Sequence, residues 1–179
     1  MTVASQQRPA AMDALEQLFA AHHARVLCAA YRITGSMQDA EDVTQTVFLR
    51  LLQGGEAPIA NVESYLYRAA INGALDLMRR RRPERNVPLD DAMAVAGGDA
   101  SHGPEHAASS EELRKWLRQA MAGLSPRAAE MFALRYLEER SNQEIAGMMG
   151  TSQAVVAVVL YQTRARLKKQ FRMMMRGKR

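Results

Sequence analysis

The apolar residues of this 179-residue chain recur every three or four positions, the period of a helix with one buried face. From Asp13 the set Leu15, Leu18, Phe19, Val26, Leu27 and Ala30 falls on one stripe and ends near Gly35. Ser36 supplies an N-cap for a second helix, with Asp39 three residues on and Val43, Val47 and Leu51 facing inward. Gly54-Gly55 stops it, and a loop runs to residue 62. The spacing predicts a third helix from Ser64 to Arg81 with Leu66, Ala69, Ala70, Leu77 and Met78 inward, ended by Pro83. The stretch 83–110 loses the period and is rich in Ala, Gly, Ser, Pro and acids, so it reads as a linker with little fixed structure. Periodicity resumes at Ser110 with Leu113, Trp116, Leu117, Ala120 and Met121. Ser125-Pro126 then starts a further helix carrying Ala129, Phe132 and Tyr136.

A sharper signal follows. Ser141-Asn142-Gln143-Glu144 has the form of a capping box and opens a short helix with Ile145, Ala146 and Met149. Gly150 permits a left-handed turn, and Ser152 caps a second helix with Val156 and Leu160 inward. This is helix-turn-helix spacing, in which the second helix enters a DNA major groove. Capped helix pairs also arise as plain structure. Val155, Val158, Val159 and Gln162 fall on the outer side of that second helix, where DNA or solvent lies. The chain is therefore expected to be all-α, with two small helical domains, 1–82 and 111–179, joined by a flexible acidic linker, 83–110.

Charge supports the same division. Residues 83–112 hold 7 acidic and 1 basic side chains, a net −6, whereas residues 113–179 hold 14 basic and 4 acidic ones, a net +10. With the Arg79–Arg82 run, this is the layout of a nucleic-acid binder, although a solvated surface produces it too. No apolar run is long enough to span a membrane, and the start lacks the pattern of a signal peptide. Cys28 is the single cysteine, so neither an internal disulfide nor a thiolate metal cluster is available, and a soluble protein of a reducing compartment is expected. His22, His23 and Cys28 make a poor ligand set, and His102 and His106 lack a third ligand. No metal, no cofactor and no catalytic residue is expected.

Three segments, in order, resemble the extracytoplasmic-function (ECF) sigma factors of bacterial RNA polymerase. AYRITGSMQDAEDVTQTVFLRLL is similar to the family's polymerase-binding segment, ESYLYRAAINGALDLMRRRR to its minus-ten segment, and LRQAMAGLSPRAAEMFALRYLEERSNQEIAGMMGTS to its minus-thirty-five domain. The resemblance implies a transcription initiation factor, not itself an enzyme, that works in the cytoplasm. Its implied partners are core RNA polymerase (the clamp of the largest subunits), promoter DNA and an anti-sigma factor, with no membrane insertion. It assigns polymerase binding to Asp39, Glu41, Asp42, Gln45, Phe48 and Leu49, with the acids exposed toward a basic partner. The alternative for those acids is a helix N-terminus decorated for dipole reasons.

Minus-ten DNA falls to Tyr65, Arg68, Asn72, Asp76, Arg79 and Arg80, with Tyr67 as a further aromatic. Stacking faces and cations are what an opened duplex requires; the alternative is ordinary core tyrosines and a solvated helix end. The helix-turn-helix set is Ser152, Gln153, Val155, Ala157, Val158, Tyr161, Gln162, Arg164, Arg166 and Lys168. Here the chain departs from the family: Ala157-Val158-Val159 stands where relatives carry a Lys/Arg-Ser-Arg string. Apolar side chains touch thymine methyls but cannot bind guanine bidentately. Upstream recognition is then unusual, weak, or replaced by a protein contact at Val158. Two rival functions remain at this point: a conventional helix-turn-helix regulator acting without polymerase, and a degenerate sigma acting as an interaction protein.

Overall fold

A computed structural model describes residues 4–53, 61–81 and 104–176. Among them are seven α-helices and no strand, which is the all-α fold expected. The loop positions 54–60 and the acidic residues 82–103 lie outside the described residues. By its internal contacts the chain divides into two compact units, Met1–Ala74 and Leu75–Arg179. No single described helix is long and apolar enough to cross a membrane.

In the first unit, α1 (Ala4–Thr34) and α2 (Met37–Gln53) form a helical hairpin. Gly35 makes the turn with φ 68°, a left-handed conformation that suits glycine, and its N–H donates to the Tyr31 carbonyl at 2.8 Å. Ser36 Oγ accepts the Asp39 N–H at 3.3 Å and caps α2 as expected. The core is Val26, Ala29, Ala30 and Ile33 of α1 against Ala40, Val43 and Val47 of α2 and Leu66, Ala70 and Ile71 of α3 (Val62–Arg81). Phe19, placed inward by the periodicity, is instead exposed, and its ring meets that of Phe48 at 4.9 Å. The helix α3 starts two residues before the predicted Ser64. Asn61 Oδ1 accepts the Ser64 N–H at 2.8 Å, so Asn61 is the cap and Ser64 sits inside the first turn. A Cβ on Gly73 would lie 3.2 Å from Val43 Cγ1, so the small residue lets α3 approach α2 closely.

In the second unit, α4 (Pro104–Ala122) begins earlier than the sequence pattern indicated. Residues 104–110, assigned to the linker, are helical: Pro104 occupies the first turn, and Ala107 and Ala108 are strong helix formers without an apolar period to reveal them. The helices α5 (Pro126–Tyr136), α6 (Asn142–Met149) and α7 (Gln153–Arg176) follow. Ser125 is the N-cap of α5, with Pro126 inside the first turn, but its side chain makes no capping hydrogen bond. Met131, Leu134, Ile145, Val156 and Leu167 are fully buried, and Trp116 of α4 meets Phe171 of α7 edge-on at 5.3 Å.

Candidate nucleic-acid interface

The helix pair α6–α7 is built from its caps upward. Ser141 Oγ accepts the Glu144 N–H at 3.2 Å, and Glu144 Oε2 accepts the Ser141 N–H at 2.7 Å, closing the capping box. Hydrogen bonds from the Ser141 backbone and hydroxyl, joined by the Arg140 guanidinium at 3.1 Å, lower the Glu144 carboxyl from its usual 4.5 to about 2. At the other end Gly150 takes the left-handed conformation, φ 60° and ψ 47°, and Thr151 N–H returns to the Ala146 carbonyl at 2.9 Å. Ser152 Oγ then accepts the Val155 N–H at 3.3 Å and starts α7. The chain bends by 108° across this break, within the range of a helix-turn-helix. Ile145 and Ala146 pack inward, as do Val156 and Leu160, so the outer side of α7 is determined.

That outer side carries the expected residues. Ser152, Gln153, Ala157, Gln162, Arg164 and Lys168 are exposed, and Val155, Val158 and Tyr161 are 40%, 55% and 75% exposed. Two members differ from expectation. Val159 and Arg166 are half-buried and line an open cleft of about 230 Å³ with Arg127, Gln162 and Thr163. Arg127 also donates to Thr151 Oγ1 at 2.9 Å, which ties α5 to the turn between α6 and α7. The sequence pattern gave no sign of Arg127 or of the buried Thr163; only their distance in space, not in sequence, brings them to this turn.

On α3, Tyr65 is exposed while Arg68 and Asn72 are half-buried, at successive helical spacing. Tyr67 is buried in the core at 6% exposure, so it is no stacking platform: it lies on the inward stripe with Leu66, Ala70 and Ile71. In the last turns Asp76 and Arg80 are exposed, and Arg79 is held by Asp76 at 2.6 Å.

The acidic cluster of α2 is split. Glu41, Asp42, Gln45 and Leu49 are exposed, but Asp39 is only 5% exposed. Asp39 lies on the side of buried Ala40 and Val43, while Asp42, about 60° round the helix, is past the edge of that stripe and exposed. Phe48 is likewise buried, with its ring against Phe19. Of the expected set, Glu41, Asp42, Gln45 and Leu49 are exposed, with Leu52, not among the expected residues, exposed beyond them.

Two family models match this architecture: Sigma-70 region 2 over residues 18–84 and Sigma-70, region 4 over residues 114–167. The RNA polymerase sigma factor CarQ of Myxococcus xanthus is 31% identical, over 81% of this chain and 82% of CarQ. The ECF RNA polymerase sigma factor SigE of Mycolicibacterium smegmatis is 30% identical over 161 residues, 89% of this chain but 62% of SigE.

The chain belongs to the ECF sigma factor family.

The fold agrees. The solved structure of CnrH in complex with the cytosolic domain of CnrY matches with a TM-score of 0.54 over 86% of this chain and 84% of CnrH, at 20% identity. In this sigma factor the region 2 match begins inside α1 and continues through α2 and α3, and the region 4 match runs from within α4 into α7.

Proposed function

We propose that this chain binds core RNA polymerase and directs it to promoters, with two DNA-facing surfaces and one polymerase-facing surface. The observation that carries this is the order of the two sigma regions along the chain, each falling on helices with an exposed polar face. In this reading residues 1–82 bind polymerase and the minus-ten element, 83–110 tether, and 111–179 bind the upstream element. Polymerase docks on Glu41, Asp42, Gln45 and Leu49, while Asp39 and Phe48 hold that face in shape from beneath.

Tyr65 offers its ring to an unstacked base, Arg68 and Arg80 offer cations to phosphates, and Asn72 offers a base-edge hydrogen bond. Asp76 sets the position of Arg79. The helix α7 enters the major groove with Gln153, Val155, Val158, Tyr161 and Gln162 toward the bases, and Arg164 and Lys168 toward the backbone. Catalysis belongs to the polymerase, in the cytoplasm where it works. An inhibitory protein partner completes the reading, supported by CnrH having been solved with the cytosolic domain of CnrY.

The test is reconstitution. Core polymerase plus the purified chain is expected to give run-off transcripts from defined start sites that core alone does not give. A chain that binds duplex DNA but neither associates with core polymerase nor changes its start sites is a conventional helix-turn-helix regulator, and the proposal fails.

A further inference from the structure

The groove-facing part of α7 is uncharged. From Gln153 to Thr163 the helix reads QAVVAVVLYQT, and its first cation is Arg164. Two positions past Gln162, that cation points about 160° round the helix from it, away from the side that carries Val155, Val158 and Gln162. The neighbouring cations are engaged elsewhere: Arg127 on Thr151 and Arg140 on Glu144. Guanine is read in the major groove chiefly by bidentate Arg or Lys, and none is offered here. What α7 does offer is methyl groups and amides. Val155 and Val158 are exposed three positions apart with Gln162 exposed on the same side of the helix, and Gln153 is exposed at the first position of α7, the end that meets base edges. Valine meets the C5-methyl of thymine, and glutamine pairs with the N6 and N7 of adenine. The basic residues after Arg164 supply the attraction to the backbone that such a neutral reading surface lacks.

We propose that α7 reads the upstream promoter element as A·T base pairs, with Val155 and Val158 against thymine methyl groups and Gln153 and Gln162 on adenine edges, and with no guanine contact from this helix. The inference rests on the sigma reading above, because it takes α7 as the helix that enters the groove.

The experiment uses holoenzyme assembled from core polymerase and the full chain. The probe is a duplex with a mapped start site and minus-ten element held constant and twenty upstream base pairs randomised. Selection by binding is expected to enrich A·T pairs in the upstream element. Replacing thymine by uracil in the selected element removes only the methyl groups, and it is expected to weaken wild-type binding about tenfold. The double variant Val155→Ser/Val158→Ser, altered only at exposed positions, is expected to bind the thymine and uracil duplexes within about twofold of each other. A selected element centred on guanines overturns the inference, as do equal wild-type affinities for the two duplexes or a tenfold loss kept by the double variant. Transcription from the fixed start site without any upstream enrichment also overturns it, and leaves the valine face to a protein partner. If the holoenzyme starts transcripts at no promoter, the sigma reading itself fails and takes this inference with it.

Discussion

Asp39 and Asp42 are one helical turn apart on α2, yet burial gives them different work. Asp42 is exposed, so Glu41→Lys with Asp42→Lys is expected to change stability by no more than about 0.5 kcal/mol, because solvated charges contribute little. The same pair is expected to lose most core-polymerase capture in a pull-down, and undiminished capture by the folded variant sinks the docking surface. Asp39→Lys, by contrast, puts a long cation into a site that is 5% exposed, and is expected to cost roughly 1–3 kcal/mol in a denaturant melt. A half-buried position behaves similarly. At Gly73 even a Cβ would stand 3.2 Å from Val43 Cγ1, so Gly73→Leu is expected to overpack the α2–α3 contact by about 1–3 kcal/mol. A melt indistinguishable from wild type there would mean that the helices part without cost. Residue chemistry alone ranked Asp39 with Asp42, Phe48 with Leu49 and Tyr67 with Tyr65. In each pair one member is core and the other surface. Phe48 and Leu49 differ by about 100° in direction and Tyr65 and Tyr67 by about 160°. Asp39 and Asp42, only about 60° apart, straddle the edge of the buried stripe, and only the packing partner decides where that edge falls. Most outward residues of α7 were legible because Val156 and Leu160, four apart, marked the inner side; Val159 and Arg166 were not, because the cleft they line with Arg127 of α5 is formed by a residue distant in sequence.

At the scale of elements, starts were read well where a strong cap stood alone. Ser36, Ser141 and Ser152 each accept the backbone N–H three residues on, as their spacing suggested. Reading failed where two caps competed, with Asn61 preceding Ser64, and where an Ala- and Glu-containing stretch at 104–110 forms helix without an apolar period. The capping box of α6 makes a pH prediction. Its carboxylate, Glu144, is held at about 2 when folded against 4.5 ordinarily, chiefly by the Ser141 backbone N–H. A depressed folded value means that the stabilisation is fully present above about 4.5 and is lost as pH falls toward 2. Glutamine can still receive the Ser141 N–H. Glu144→Gln is therefore expected to keep the cap but flatten the stability slope between those pH values, whereas Glu144→Ala loses the reciprocal bond at every pH. Thermal melts of the three proteins at successive pH values measure this. Parallel curves for wild type and Glu144→Gln would show that the carboxylate is not what the cap depends on.

Over the whole molecule, charge and shape are separated along α7. In the proposed docking the uncharged turns face the bases, and the exposed Arg164 and Lys168 follow them within a C-terminal region of net +10. Each phosphate neutralised by a side chain releases counterions, which contributes about −0.9 to the slope of log affinity against log salt. Promoter binding by the holoenzyme is therefore expected to be steeply salt-dependent, with polymerase adding its own share. That share cancels between variants assembled with the same core enzyme. Arg164→Ala and Lys168→Ala are each expected to make the slope shallower by about one unit, at every sequence tested, because a phosphate contact carries no base information. Val158→Ser removes no charge, so it is expected to leave the slope unchanged while altering the preference among sequences. Titrating one promoter duplex and one scrambled duplex across a range of salt concentrations separates the two effects. Slopes that stay the same for Arg164→Ala and Lys168→Ala would mean that the second half of α7 does not lie along the DNA backbone. The helix would then approach the groove at a different angle, or its basic face would serve a partner other than DNA.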